Sequence, residues 1–251
     1  PNYIPWNFFW NDKSLGCAIL LYEEYQKKFY EEIVNWKEGP KTYIDSKGQE
    51  HRIQPSQEII RMLKYENYIG RYCSYARTEG KYTPKGLYFI NNWASLRYAA
   101  NAAFICLAFA ENPLKLRITP DKDIKNYHFA KKQVDYILGS SGRSFVIGYG
   151  NNFPRRPHHR ASSCPIEEEC TIEHETGFEP NPNLLIGALV GGPDIKDKYY
   201  DDRQNYQQSE VALDYNAGLQ ASVSAMLNAK NSNFEQNLIE RALEFEEMMK
   251  R

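Results

Sequence analysis

An all-α fold is predicted for this chain by three observations. Six segments carry apolar residues at three- and four-residue spacing, and no segment sustains period-two alternation bounded by turn residues. At 251 residues the chain is also long enough to bury roughly 70 to 75% of its unfolded surface, so core formation is not limiting.

The first helix is read from Leu15, Ala18, Ile19, Tyr22, Tyr25, Phe29 and Ile33, which share one face. A second runs from about Ser56 to Arg77 through Ile59, Ile60, Leu63, Ile69 and Tyr72. A third covers Trp93 to Ala110, where Ala94, Ala99, Ala100, Ala102 and Ala103 let a neighbouring helix approach closely. The fourth opens with Thr119 as N-cap and Pro120 at the first helical position, and Gly139 ends it. Ser209 to Leu227 reads as a fifth helix and Phe234 to Met249 as a sixth, with a short helical turn around Leu184 to Leu189.

Between the fourth and fifth helices lie about 70 residues, Gly139 to Gln208, rich in Gly, Pro, Arg, His and Asp. Irregular segments longer than about 12 to 15 residues tend to carry function. The chemistry is therefore sought there.

Composition excludes several classes. With Lys+Arg 31 against Asp+Glu 32 the net charge is -1, which supports neither a nucleic-acid footprint nor a polybasic membrane surface. The most apolar stretch, Ala94 to Ala110, is interrupted by Arg97 and Asn101 and is too short to span a bilayer, so no membrane is assigned as partner. Five cysteines are too few for a disulfide scaffold. Cys164 and Cys170 enclose a short polar loop and are either bridged, which implies an oxidising compartment, or free. Cys17, Cys73 and Cys106 sit among apolar neighbours and read as buried hydrophobes.

Two polar constellations stand out. The first, Tyr199 to Gly218, holds Asp201, Asp202, Glu210 and Asp214, with Glu210 and Asp214 on one face if the segment is helical. These carboxylates can simply cap a turn and favour a helix N-terminus, or Glu210 can be a general acid. A helix N-terminus favours the ionised carboxylate, whereas a proton donor needs the protonated form, so desolvation by Tyr206 and Tyr215 or repulsion from Asp201 must oppose it.

The second constellation, Arg143 to Arg160, ends in Pro157-His158-His159-Arg160. Adjacent histidines on extended backbone point in opposite directions, which makes joint chelation awkward, so no metal is assigned. A loop stiffened by Pro and Gly that presents His158 and Arg160 suits hydroxyl groups or a carboxylate. Aromatic residues make up 14% of the chain and can stack on sugar rings, although most fall at helical core spacing.

At these two loops the sequence resembles glycoside hydrolase family 9, the endo-β-1,4-glucanases and related cellulases. The resemblance lies in Tyr199-x-Asp201, Tyr206, Glu210, Ala212 and Asn216-Ala217, and in Ser144 to Arg160. The stretches Phe8 to Ser14, Thr83 to Phe104 and Asn181 to Arg203 agree in order. Ile147, Ser209 and Asn11 depart from the family's usual residues, and beyond about Asn231 nothing is family-specific.

The resemblance implies an (α/α)6 barrel, a six-hairpin toroid with a loop-built cleft for a β-glucan chain. It makes Glu210 the general acid, His158 the contact at the cleavage point, Asp201 a supporting residue of the site, and Arg160 and Tyr206 cleft-lining residues. The family inverts configuration and takes its base from an Asp-Ala-Gly-Asp segment, which this sequence does not contain. Residues 1–251 are accordingly expected to be the C-terminal portion of a catalytic domain that continues upstream of Pro1, with the N-terminal helices missing. Such a piece is expected to be poorly stable and little active alone, and the intact parent to be a secreted monomer. No cofactor is assigned; calcium stays open for the intact parent, because Asn11 replaces an Asp and Gly191 to Asp202 is too loosely spaced for a calcium loop. The competing expectations are another α/α-barrel carbohydrate enzyme and a noncatalytic glycan-binding helical module.

Overall fold

The computed structural model describes Phe8 and residues 11–39, 42–112, 115 and 120–249. Helix α1 (Ser14–Lys28) buries Leu15, Ala18, Ile19 and Tyr22, the expected face. It does not run on to Ile33. The backbone breaks at Phe29 (φ −114°, ψ 31°) and resumes as α2 (Tyr30–Glu38), while the Phe29 ring stacks on Tyr25 at 5.6 Å. Apolar spacing continues across this break, so periodicity alone could not reveal it.

A two-stranded antiparallel hairpin follows, β1 (Thr42–Ile44) paired with β2 (Glu50–Arg52). Its turn is set by Gly48 at φ 77° and by Asp45, whose carboxylate accepts the Lys47 and Gln49 amides. All six strand residues are exposed, so there was no buried face to produce an alternating pattern.

Helix α3 (Gln57–Thr78) starts where Ser56 accepts the Ile59 amide, and the Tyr22 hydroxyl donates to buried Glu66 at 2.6 Å, joining α1 to α3. The central helix α4 (Ser95–Glu111) is buried along most of its length. Cys73 and Cys106 are not separate buried thiols but form a disulfide between α3 and α4. Cys17 is exposed and free, which also corrects the expectation for that residue.

Helix α5 (Pro120–Asp135) runs into a π turn, Tyr136–Ser140, in which Gly139 takes φ 140° and ends the element as predicted. The Thr119 cap lies outside the described residues. Three helices of one turn each punctuate the irregular region: α6 (Arg160–Ser163), α7 (Ile172–Thr176) and α8 (Tyr206–Ser209). Leu184 to Leu189 is not helical; it turns at Gly187, φ 87°. The bridge between Cys164 and Cys170 is present and closes the loop between α6 and α7.

The fifth predicted helix starts later than expected, as α9 (Leu213–Asn231), and α10 (Phe234–Met249) follows it. Helix α4 packs against both α5 and α9, α1 against α3, and α10 against α5. At the α4–α9 crossing a Cβ on Gly218 would lie 2.1 Å from the Asn101 side-chain oxygen, so only glycine permits this approach. Among the described residues no helix is long and apolar enough to cross a membrane.

Candidate active site

Glu210 is not on a helix. It has extended-type backbone (φ −57°, ψ 145°) between α8 and α9. Parallel pairing of His158 with Glu210 and antiparallel pairing of Val190 with Val211 draw these residues out of the helix and set the histidine strand beside the carboxylate. The shared helical face predicted for Glu210 and Asp214 is therefore absent, and Asp214 instead meets Arg97 at 3.3 Å.

The half-exposed Glu210 carboxyl is held through one oxygen. Oε2 accepts from Trp93 Nε1 at 2.8 Å and from the Tyr215 hydroxyl at 2.6 Å. Among the described residues Oε1 has no protein hydrogen bond, which leaves it for a ligand. Burial, and secondarily the bond to Glu210, hold the Tyr215 phenol well above its ordinary range, so it remains a donor at any working pH. The Trp93 side chain is set by Ala94, a fully buried residue in the left-handed region (φ 56°, ψ 53°) whose amide bonds to the Gln207 carbonyl at 3.0 Å. An alanine there stores about 1–2 kcal/mol of backbone strain, which the surrounding hydrogen bonds offset.

Tyr206 packs between the other two rings, 5.1 Å from Trp93 and 6.1 Å from His158 by centroid. Both Trp93 (43%) and Tyr206 (45%) keep a large exposed face beside the carboxyl. His158 Nδ1 lies 2.7 Å from the Arg203 carbonyl. A carbonyl only accepts, so Nδ1 carries the proton and Nε2 is left for an incoming hydroxyl.

The loop bearing His158 is anchored from behind. Asp201 accepts the Arg155 and Arg156 amides at 2.8 and 3.1 Å, one on each oxygen, and does not touch Glu210. Buried Asn181 donates to the Pro157 carbonyl, and its own oxygen accepts from Arg203 Nε at 2.9 Å. The Arg203 guanidinium, lowered from its ordinary value by burial and then by Arg156, also donates to the Gly177 and Glu179 carbonyls. Arg160 is exposed at the start of α6, which His159 caps, and shares a cavity of ≈ 340 Å³ with His158, the Cys164–Cys170 bridge and Glu175.

The structure thus brings Glu210, His158 and Tyr206 together, sets Arg160 beside His158, and puts Asp201 behind the loop. Trp93, Asn181 and Arg203 were not singled out from sequence. Trp93 was read as the first residue of the third helix, but that helix starts only at Ser95, after Ala94 turns the backbone and leaves Trp93 outside it. A separate apolar groove of ≈ 550 Å³ between α5, α9 and α10 contains none of these residues.

Within Gly191 to Asp202, Asp194 accepts the Lys196 and Lys198 amides and closes a local turn, whereas Asp197 accepts the Lys85 amide and the Tyr136 hydroxyl and ties this segment to distant parts of the chain. Among the described residues no three His, Cys, Asp or Glu side chains converge as a metal site.

A helical scaffold here carries one doubly gripped carboxyl, a loop histidine and exposed aromatic faces side by side. Residues 2–223 match the model of glycosyl hydrolase family 9, and the chain belongs to that family. It is 34% identical over 231 residues to Endoglucanase 1 of Persea americana, covering 85% of this chain and 42% of that protein. Endoglucanase A of Bacillus pumilus is 40% identical over 154 residues, covering 58% and 21%. Among solved structures, the endoglucanase of the termite Nasutitermes takasagoensis superposes with TM-score 0.61 at 38% identity, over 84% of this chain and 49% of that one. Endoglucanase CelQ from Clostridium thermocellum, complexed with cellobiose and cellotriose, gives 0.65 at 29% identity, over 91% and 32%. The helices described above are thus part of an (α/α)6 barrel, and the chain spans less than half the length of these relatives.

Proposed function

We propose that the intact protein hydrolyses internal β-1,4-glucosidic bonds of cellulose or a related β-glucan with inversion, Glu210 being the general acid. The observation that carries this is the grip on Glu210: both protein donors fall on Oε2, so the proton for the leaving oxygen is delivered from Oε1. His158 binds a sugar hydroxyl through Nε2 at the cleavage point. Tyr206 and Trp93 offer their exposed faces to the sugar rings, and Arg160 extends the polar wall beyond His158. Asp201 acts through the loop it anchors and is a positioning residue.

Inversion needs a second carboxylate about 6.5 to 9.5 Å from the first, with room for water between them. We place that base in the remaining length of the parent, since the relatives are more than twice as long as the matched region. The cellobiose and cellotriose bound by CelQ support a β-glucan substrate. Two disulfides among the described residues support an oxidising, extracellular setting.

The test is Glu210→Gln in the intact protein. Loss of general acid catalysis lowers kcat on cello-oligosaccharides about 10²–10⁴-fold, with activity largely restored on aryl cellobiosides whose leaving group needs no proton. Undiminished cello-oligosaccharide hydrolysis by this variant would remove Glu210 from the role. Cello-oligosaccharide binding without turnover in the unaltered protein would favour a noncatalytic glycan-binding module.

A further inference from the structure

A polar hollow of ≈ 670 Å³ lies at the far end of the histidine loop, lined by Lys85, Arg143, Asn152, Phe153, Arg155 and Asp201 among others. Three basic side chains face one carboxylate there, although the chain as a whole carries a net charge of -1. Among the described residues no cation forms an ion pair with this carboxylate, whose two oxygens each accept a backbone amide. A neutral glucan gives no reason to gather cations in this place.

The cations are held in position by groups that leave donors unspent. Lys85 Nζ uses one hydrogen on the Ser141 carbonyl at 2.6 Å. The Arg143 guanidinium lies 4.4 Å over the Tyr199 ring and gives one bond from Nη2 to the Asn152 carbonyl, while Nη1 makes no protein hydrogen bond among the described residues. Arg155 rests on the Phe153 ring at 5.4 Å. Oriented, under-used guanidinium groups around a polar hollow are the chemistry that recognises tetrahedral or planar oxyanions.

We propose that this hollow is an oxyanion-binding site, taking a phosphate or carboxylate group between Lys85, Arg143 and Arg155. Because Arg155 also supplies an amide to Asp201, an anion bound here braces the segment that leads to His158. The site stands independently of the role of Glu210.

The experiment is titration of the intact protein with inorganic phosphate, by calorimetry and thermal unfolding, against sodium chloride at matched ionic strength and pH. Saturable binding with Kd on the order of millimolar, weakened about tenfold or more in Arg155→Gln, supports the site. Arg155 is exposed and its amide is retained in the variant, so folding is not at risk. Lys85→Gln, which keeps a donor for Ser141, gives a second measurement in the same direction. Displacement of phosphate by D-glucuronate but not by D-glucose supports a carboxylated sugar as the source, and phosphate binding indifferent to glucuronate supports a free inorganic oxyanion. Equal behaviour in phosphate and chloride, or an undiminished phosphate response in both variants, overturns the proposal.

Discussion

Tyr215→Phe isolates the grip on Glu210. The substitution deletes one of two donors to Oε2, a 2.6 Å bond, and otherwise keeps the buried ring, which is 1% exposed, losing only the space of the hydroxyl. As Glu210 gives up its proton it becomes a charged acceptor, and a hydrogen bond to a charged group is worth about 1.5–3 kcal/mol. Trp93 still donates at 2.8 Å and Glu210 is half-exposed, so water can replace part of the loss and the lower end applies. About 1.5 kcal/mol corresponds to roughly a tenfold fall in kcat. Tyr215 is buried beneath the carboxyl and has no surface to offer a sugar, so KM should stay within about twofold. Steady-state kinetics of the intact protein on cellohexaose, with unfolding followed in parallel, separate the two parameters from any stability loss. Trp93→Phe provides the contrast: it removes a donor and alters an exposed ring, so both kcat and KM should change. An unaltered kcat in Tyr215→Phe, or a rise in KM with kcat intact, would show that the carboxyl does not depend on this bond.

Four further outcomes are expected. Asp201→Asn replaces one acceptor by a donor facing a backbone N–H; limited proteolysis should cut faster within residues 153–158, with a loss of about 1–3 kcal/mol in denaturant unfolding. Replacing Cys73 and Cys106 by alanine opens a closure with sequence separation 33, which chain entropy makes worth about 3–4 kcal/mol; the denaturation midpoint should fall and should no longer respond to reductant acting on this bond. Gly218→Ala forces a methyl to 2.1 Å from the Asn101 oxygen and 2.9 Å from its backbone nitrogen, which should cost about 3 kcal/mol or more and lower the melting temperature sharply. Burial raises the Glu111 carboxyl above its ordinary range, so folding favours its protonated form and stability is lost as pH rises from the unfolded through the folded value. Glu111→Gln should therefore raise the melting temperature at pH 7 and lose that advantage as pH falls below the usual glutamate range; a constant difference at all pH values would contradict this.

The amino-acid sequence alone determined the helices whose burial repeats locally: α3 and α10 were readable from spacing, and α5 from its Gly139 stop as well. It also determined the family, through the two loops, and named Glu210, His158 and Tyr206, though not Trp93, among the residues that converge. What tertiary structure decided is how they converge. Trp93 reaches Glu210 across 117 residues of chain, and the bridge from His158 to Glu210 overrides the helical spacing that pointed to a start at Ser209. The Cys73–Cys106 pairing, the break at Phe29 and the exposed hairpin were equally invisible to periodicity. Periodicity records which face of a segment is buried, whereas the partner that buries it, and the strand that pulls it off its preferred conformation, are set by the packing of distant segments.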